Sequence, residues 1–137
     1  MNGRYLSITT LFLLFPIIVF VYNTHKPIWQ TILVLLLLIN IALSFLFWIN
    51  PIQSSLIHFY DGVFAKISYI LFSIYILFIK DINYETRRLA IIILILTFIM
   101  FYYSSMYSQK KWGSKEHIVC HSIFHFLSSI GCSIAFI

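Results

Sequence analysis

The sequence contains very little charge for its length. Of its 137 residues only 9% are Asp, Glu, Lys or Arg, whereas 61% are hydrophobic. A soluble domain needs a charged surface, typically about a quarter of its residues, so the composition excludes a water-soluble domain. A protein in a lipid bilayer does not need a charged surface. Long apolar segments can cross the bilayer as helices, because a helix satisfies its own backbone hydrogen bonds. The composition therefore favours an integral membrane protein.

Cysteines and basic patches are also scarce. Cys120 and Cys132 lie in one apolar segment, where about 18 Å of helix would separate them, so we expect no disulfide between them. The formal charge is +5, but the basic residues lie between or at the ends of apolar runs. No basic patch interleaved with aromatic residues is seen. We therefore expect membrane lipids as partners and no nucleic acid.

The apolar runs predict an all-α fold, a multi-pass transmembrane bundle with about five helices. The first run follows Arg4 and lacks the cleavage site of a secretory signal peptide, so we interpret it as a membrane helix. Pro27 suits the first turn of the second helix, and Asn50-Pro51 ends that helix. Residues 52–60 are expected to form a kinked extension or a short re-entrant piece. One integral membrane domain covers residues 1–137, with predicted helices at about 5–22, 28–49, 62–79, 89–107 and 117–137.

Polar residues inside the predicted helices indicate where helices pair. Asn40 and Ser44 lie four residues apart on one face of the second helix. We expect an interhelical hydrogen bond there, worth about 1 kcal/mol. Asp61, Ala65 and Ser68 form a small, polar stripe along the start of the third helix.

The number of spans places the histidines on one side of the membrane. With five helices, the turn before the third helix and the loop before the fifth lie on the same side. The turn carries His58 and Asp61, and the fifth helix begins with His117, His121 and His125. Ionisable groups inside a membrane are costly, and they are therefore candidates for function.

The spacing of these histidines predicts a metal site. His121 and His125 lie one helical turn apart, so both imidazoles can reach one ion. His58 would complete a three-histidine set with one position open for water, which is the pattern of catalytic zinc. Asp61 could orient the water or take its proton, and Ser54 could donate a hydrogen bond to a developing oxyanion. His117 follows Glu116 at the membrane interface, and we interpret it as a solvated residue outside this set.

These motifs resemble a known family signature. Ser54-Ser55-Leu56-Ile57-His58, then Asp61, then His121-Ser122-Ile123-Phe124-His125 resembles the signature of the CREST superfamily. This superfamily includes alkaline ceramidases, adipoQ receptors, Per1-like proteins and myomaker-like proteins, and the sequence looks most similar to the last two branches. The resemblance implies zinc held by the three histidines and metal-dependent hydrolysis of a lipid amide or ester. The residues that it implies for the site are Ser54, His58, Asp61, His121 and His125.

A second interpretation is a non-enzymatic membrane protein that acts in membrane remodelling or assembly. The superfamily core has seven helices and places an Asp well after the first histidine, whereas five helices are predicted here and Asp61 follows His58 closely. Under this interpretation the histidines pair with Ser, Asn or each other inside the bundle. Because five helices enclose a pocket poorly, a homo-oligomer is also compatible with the sequence.

Overall fold

The protein is a bundle of long helices, described here by a computed structural model over residues 3–137. Five helices in this range are long and apolar enough to cross a membrane, and no strand occurs among these residues. The predicted all-α, multi-pass class is therefore confirmed. The helices are α1 (Tyr5–Tyr22), α2 (Ile28–Ile49), α3 (Leu56–Ile79), α4 (Tyr84–Lys110) and α5 (Lys115–Phe136).

The first two helices coincide with the predicted ones, but α3 begins six residues earlier than expected. The extension or re-entrant piece predicted for residues 52–60 is wrong, because residues from Leu56 onward already belong to α3. The helix begins at Leu56 because Ser55 caps it. Its side chain accepts a hydrogen bond from the His58 backbone N–H at 3.2 Å, which satisfies a free donor of the first turn. His58 and Asp61 therefore lie within the first two turns of α3.

α4 extends past both of its predicted boundaries, α5 begins two residues before its predicted start, and capping residues again explain the starts. Asn83 caps α4 by accepting a hydrogen bond from the Thr86 N–H at 2.8 Å. Arg87 and Arg88, which precede the predicted start of this helix at residue 89, lie in its exposed first turns. Ser114 caps α5 by accepting from the His117 N–H at 3.2 Å.

The five helices pack in a curved row that is closed at one end. α1 lies between α2 and α5, α4 packs along α5, and α3 packs on α2. α3 meets α4 and α5 mainly through its last turn, Tyr75–Ile79, which is π-helical. Beyond that turn α3 and α4 diverge, with one hydrogen bond between them from the Tyr69 hydroxyl to the Leu94 carbonyl, 2.8 Å long.

The main apolar core lies near the π-helical turn. Its fully buried side chains include Ile76 and Phe136, and the ring of Phe136 contacts those of Phe20 and Phe72 at centroid distances of 5.4 and 5.7 Å. The outward faces are apolar and exposed, as expected for a surface in lipid; Phe78, for example, is 81% exposed. A second, smaller buried cluster of Leu6, Phe47, Trp48 and Ile118 lies at the opposite end of the bundle.

The predicted interhelical hydrogen bond on α2 is present. The Asn40 side-chain amide donates to the Ser68 hydroxyl on α3, and both side chains are buried. Ser44, one turn further along α2, lies 3.3 Å from the Thr10 hydroxyl on α1. The polar face of α2 therefore ties this helix to both of its neighbours.

Candidate functional site

A cavity of about 590 Å³ lies between α3 and the α4–α5 pair, on the side where these helices diverge. This volume falls within the range of about 300–1,000 Å³ that is usual for sites enclosing a small molecule. The histidine motifs of α3 and α5 meet at this cavity, as the number of spans predicted. Its lining includes all the residues predicted for the site, namely Ser54, His58, Asp61, His121 and His125.

His58 projects from the first turn of α3 and is held by a backbone carbonyl. Its Nδ1 is hydrogen-bonded to the Gln53 carbonyl oxygen. Because a carbonyl only accepts, Nδ1 carries the proton, and Nε2 is left with its lone pair. The ring also stacks on Phe47, with 4.7 Å between centroids and 18° between planes.

His125 is held by a hydroxyl on α1. Its Nδ1 lies 2.9 Å from the Thr9 Oγ1, and the same hydroxyl donates its hydrogen to the Leu6 carbonyl at 3.1 Å. With this hydrogen directed at the Leu6 carbonyl, Thr9 accepts from the Nδ1–H of His125. The lone pair of this buried histidine is therefore on Nε2, as it is in His58.

His121 lies one turn before His125, with 4.7 Å between their ring centroids. Its Nδ1 is 2.8 Å from the Ser104 hydroxyl on α4, and either group can be the donor. Histidines that bind metals usually have the other ring nitrogen held by a hydrogen bond, which fixes the ring. His58, His121 and His125 all show this arrangement, each with Nδ1 engaged by a different element of the bundle.

His117 differs from the other three. The prediction that it is solvated is wrong, because it is 2% exposed and its ring packs against Trp112, 5.0 Å away between centroids. Ser114 starts the helix early enough to turn His117 inward. Its Nδ1 accepts a hydrogen bond from the Gly113 N–H at 3.2 Å, so its proton is on Nε2. A ring held this way presents a proton rather than a lone pair at Nε2.

Asp61 and Ser54 lie on the α3 side of the cavity. Asp61 is half-buried, and the side chain of Ser44 lies close enough to interact with its carboxyl group. Within residues 3–137 the one ion pair joins Glu85 to Arg88, so no ionic contact connects Asp61 to a histidine. Ser54 is exposed at the rim.

Three aromatic residues that the sequence did not single out join the histidine-bearing elements. Trp48 at the end of α2 stacks on Trp112 of the α4–α5 loop, with 5.8 Å between centroids. Phe47 contacts both Trp112 and the His58 ring, and Trp48 lies 5.0 Å from the His121 ring. Tryptophan near a membrane interface is common, so sequence alone gave no reason to assign these residues to the site.

The residues suit zinc by their chemistry but not by their present spacing. Imidazole Nε2 lone pairs are ordinary zinc ligands, and two of the three predicted ligands present them. However, among residues 3–137 no group of three or more His, Cys, Asp or Glu lies close enough together to hold a metal ion. His121 and His125 form a near pair on α5, and His58 is held on the α3 side by Gln53 and Phe47.

Comparison with family models, with curated proteins and with solved structures finds no match to this chain.

Proposed function

We propose that this protein is an integral membrane hydrolase of a lipid amide or ester, with a CREST-like site. His58, His121 and His125 would hold zinc, and Asp61 and Ser54 would assist. One observation carries the proposal: these three histidines line one cavity, and each has its Nδ1 held by a protein group. This arrangement orients the rings before any ligand arrives, as in known metal sites.

The shape and polarity of the cavity support a lipid substrate. Its rim carries polar groups such as Ser54 and Gln109, and its inner part is lined by apolar ones such as Leu37 and Phe72. An amphiphile would place its polar group near the histidines and its chain in the inner part. The divergence of α3 from α4 leaves the cavity beside the lipid-facing surface, which suits a substrate that arrives from the bilayer.

The histidines, Asp61 and Ser54 would each have a separate role in the proposed reaction. Zinc held by His58, His121 and His125 would supply a Lewis acid that could polarise a carbonyl and lower the pKa of water. Asp61 would orient a water molecule and take its proton, as a carboxylate can. The Ser54 hydroxyl would donate to the oxygen on which negative charge develops. Because the three histidines do not converge at present, His58 must approach the His121–His125 pair before the site is complete.

Metal analysis of the purified protein tests this proposal. We expect about one zinc per chain in the wild type and its loss in a His121→Ala/His125→Ala double variant. His25→Ala is the matched control, since His25 is an exposed loop residue outside the cavity, and it should retain the metal. Equally low zinc in the wild type and in the double variant would contradict the site.

A second candidate is a non-enzymatic membrane protein that acts in remodelling or assembly. The lack of a three-residue metal group among residues 3–137 favours it. So do the contacts of His125 with Thr9 and of His121 with Ser104, because they satisfy ring nitrogens without a metal. Hydrolysis of a lipid amide that falls by about 10²–10⁴-fold in Asp61→Asn, with zinc retained, would rule this candidate out.

A further inference from the structure

We infer that His117 is a hydrogen-bond donor to the cavity and that its Nε2–H binds the carbonyl oxygen of a lipid ligand. The identity of the ligand rests on the proposed function, but the role of His117 as a donor does not require zinc.

The tautomer of His117 follows from its backbone contact. A backbone N–H can only donate, so the Gly113 N–H requires an unprotonated Nδ1 on His117. A doubly protonated ring has no acceptor, and the ring is therefore neutral with its proton on Nε2. His58 and His125 have the opposite arrangement, because their Nδ1 atoms donate. The cavity therefore contains one donor histidine and at least two acceptor histidines.

The donor of His117 lacks a protein acceptor. Its side chain is 2% exposed and lines the cavity, and within the described residues no hydrogen bond to its Nε2 is present. This nitrogen keeps access to the cavity, because the buried side-chain atoms without a partner in residues 3–137 are Gln30 Oε1 and Trp48 Nε1. An acceptor brought by the ligand would satisfy it.

The position of His117 suits a carbonyl oxygen. The ring is held against Trp112 and lies one turn before His121, with 6.0 Å between the two histidine centroids. The donor therefore lies beside the His121–His125 pair, where the reacting carbonyl of an amide or ester would be placed. A preorganised donor next to that oxygen stabilises the negative charge that develops on it.

The first test reads the tautomers directly in the metal-free wild-type protein. Nitrogen-15 NMR of histidine-labelled protein in micelles should show Nε2 protonated in His117 and Nδ1 protonated in His125. Protonation of His117 at Nδ1, or the same tautomer in both residues, overturns the inference. This result does not depend on zinc content, so it separates the inference from the proposed hydrolase.

The second test uses two variants that keep different halves of the ring's function. His117→Asn retains an acceptor near the Nδ1 position but loses the Nε2 donor, whereas His117→Gln places an amide N–H near the Nε2 position. Lauroyl ethanolamide should bind about tenfold more weakly to the Asn variant and near wild-type strength to the Gln variant. Dodecane, which has no hydrogen-bond acceptor, should bind all three proteins alike. Equal amide affinity in the wild type and the Asn variant would overturn the inference.

Discussion

The two ends of the bundle keep their helices together by different means. At the π-helical end, apolar side chains from several helices interdigitate, and Ile76 and Phe136 are fully buried. At the histidine end, α3 diverges from α4, and a smaller buried cluster of Leu6, Phe47, Trp48 and Ile118 is supplemented by aromatic stacking and hydrogen bonds. The packed end can therefore fix the relative positions of the helices while the other end exposes polar groups to a cavity.

Polar groups also serve different purposes at the two ends. At the packed end the Gln30 amide donates to the Tyr75 hydroxyl at 3.1 Å and the Asn23 amide donates to the Phe136 carbonyl at 2.7 Å, while the Gln30 Oε1 is buried without a partner among residues 3–137. At the histidine end the Nδ1 atoms of His58, His117, His121 and His125 are hydrogen-bonded, and within residues 3–137 their Nε2 atoms are not. Replacements that act on one end alone can test this difference.

The largest effect is expected at the packed end, for Phe136→Ala. Removing this buried ring leaves a cavity among Phe20 and Phe72, and the free energy of unfolding should fall by about 3–5 kcal/mol. Phe78→Ala is the matched control, because Phe78 is 81% exposed and should change stability little. Unfolding of the purified protein in detergent measures both. A similar loss of unfolding free energy in the two variants would show that Phe136 does not belong to the apolar core.

An intermediate effect is expected at the histidine end, for Thr9→Val. Valine keeps the shape of threonine but leaves the Nδ1–H of His125 without an acceptor, which should cost about 1–3 kcal/mol or shift the proton to Nε2. Thr9→Ser retains the hydroxyl and should behave like the wild type. Detergent unfolding gives the stability, and nitrogen-15 NMR gives the tautomer. Wild-type values for the Val variant in both measurements would show that Thr9 does not hold His125.

The helices were largely predictable from the sequence, because apolar runs of membrane length leave few alternatives. The start of α3 was not. Asn50-Pro51 marks the end of α2, but the next helix starts at whichever residue can cap it, and Ser54 and Ser55 are both suitable. The structure selects Ser55, and this choice moves His58 and Asp61 from a turn into a helix.

The candidate site was predictable in its location but not in its hydrogen bonds. Counting the spans was enough to predict that His58 lies on the same side as His121 and His125. This count needs no knowledge of how the helices pack. The partners Thr9 and Ser104 depend on how α1 and α4 rotate about their axes, and single hydroxyls in apolar helices give no pattern to read. The burial of His117 was missed for the same reason, since it depends on contact with Trp112 and Trp48.

The smallest effect is expected at the packed end, for the pH dependence contributed by Lys80. Its Nζ donates to the Ala135 and Ile137 carbonyls at 3.1 and 2.6 Å, and partial burial lowers the pKa of Lys80 below its usual 10.5. Between that lowered pKa and 10.5 the unfolded chain binds more protons than the folded one. The free energy of unfolding should therefore rise as the pH is raised through this window, and it should fall as the pH is lowered toward the lowered pKa. Lys80→Met removes the contribution, and comparing the two proteins cancels titration of the other lysines and the tyrosines. The stability of the wild type relative to the Met variant, measured by unfolding in detergent, should therefore increase toward pH 10.5; a constant or decreasing difference would show that burial of Lys80 does not affect its protonation.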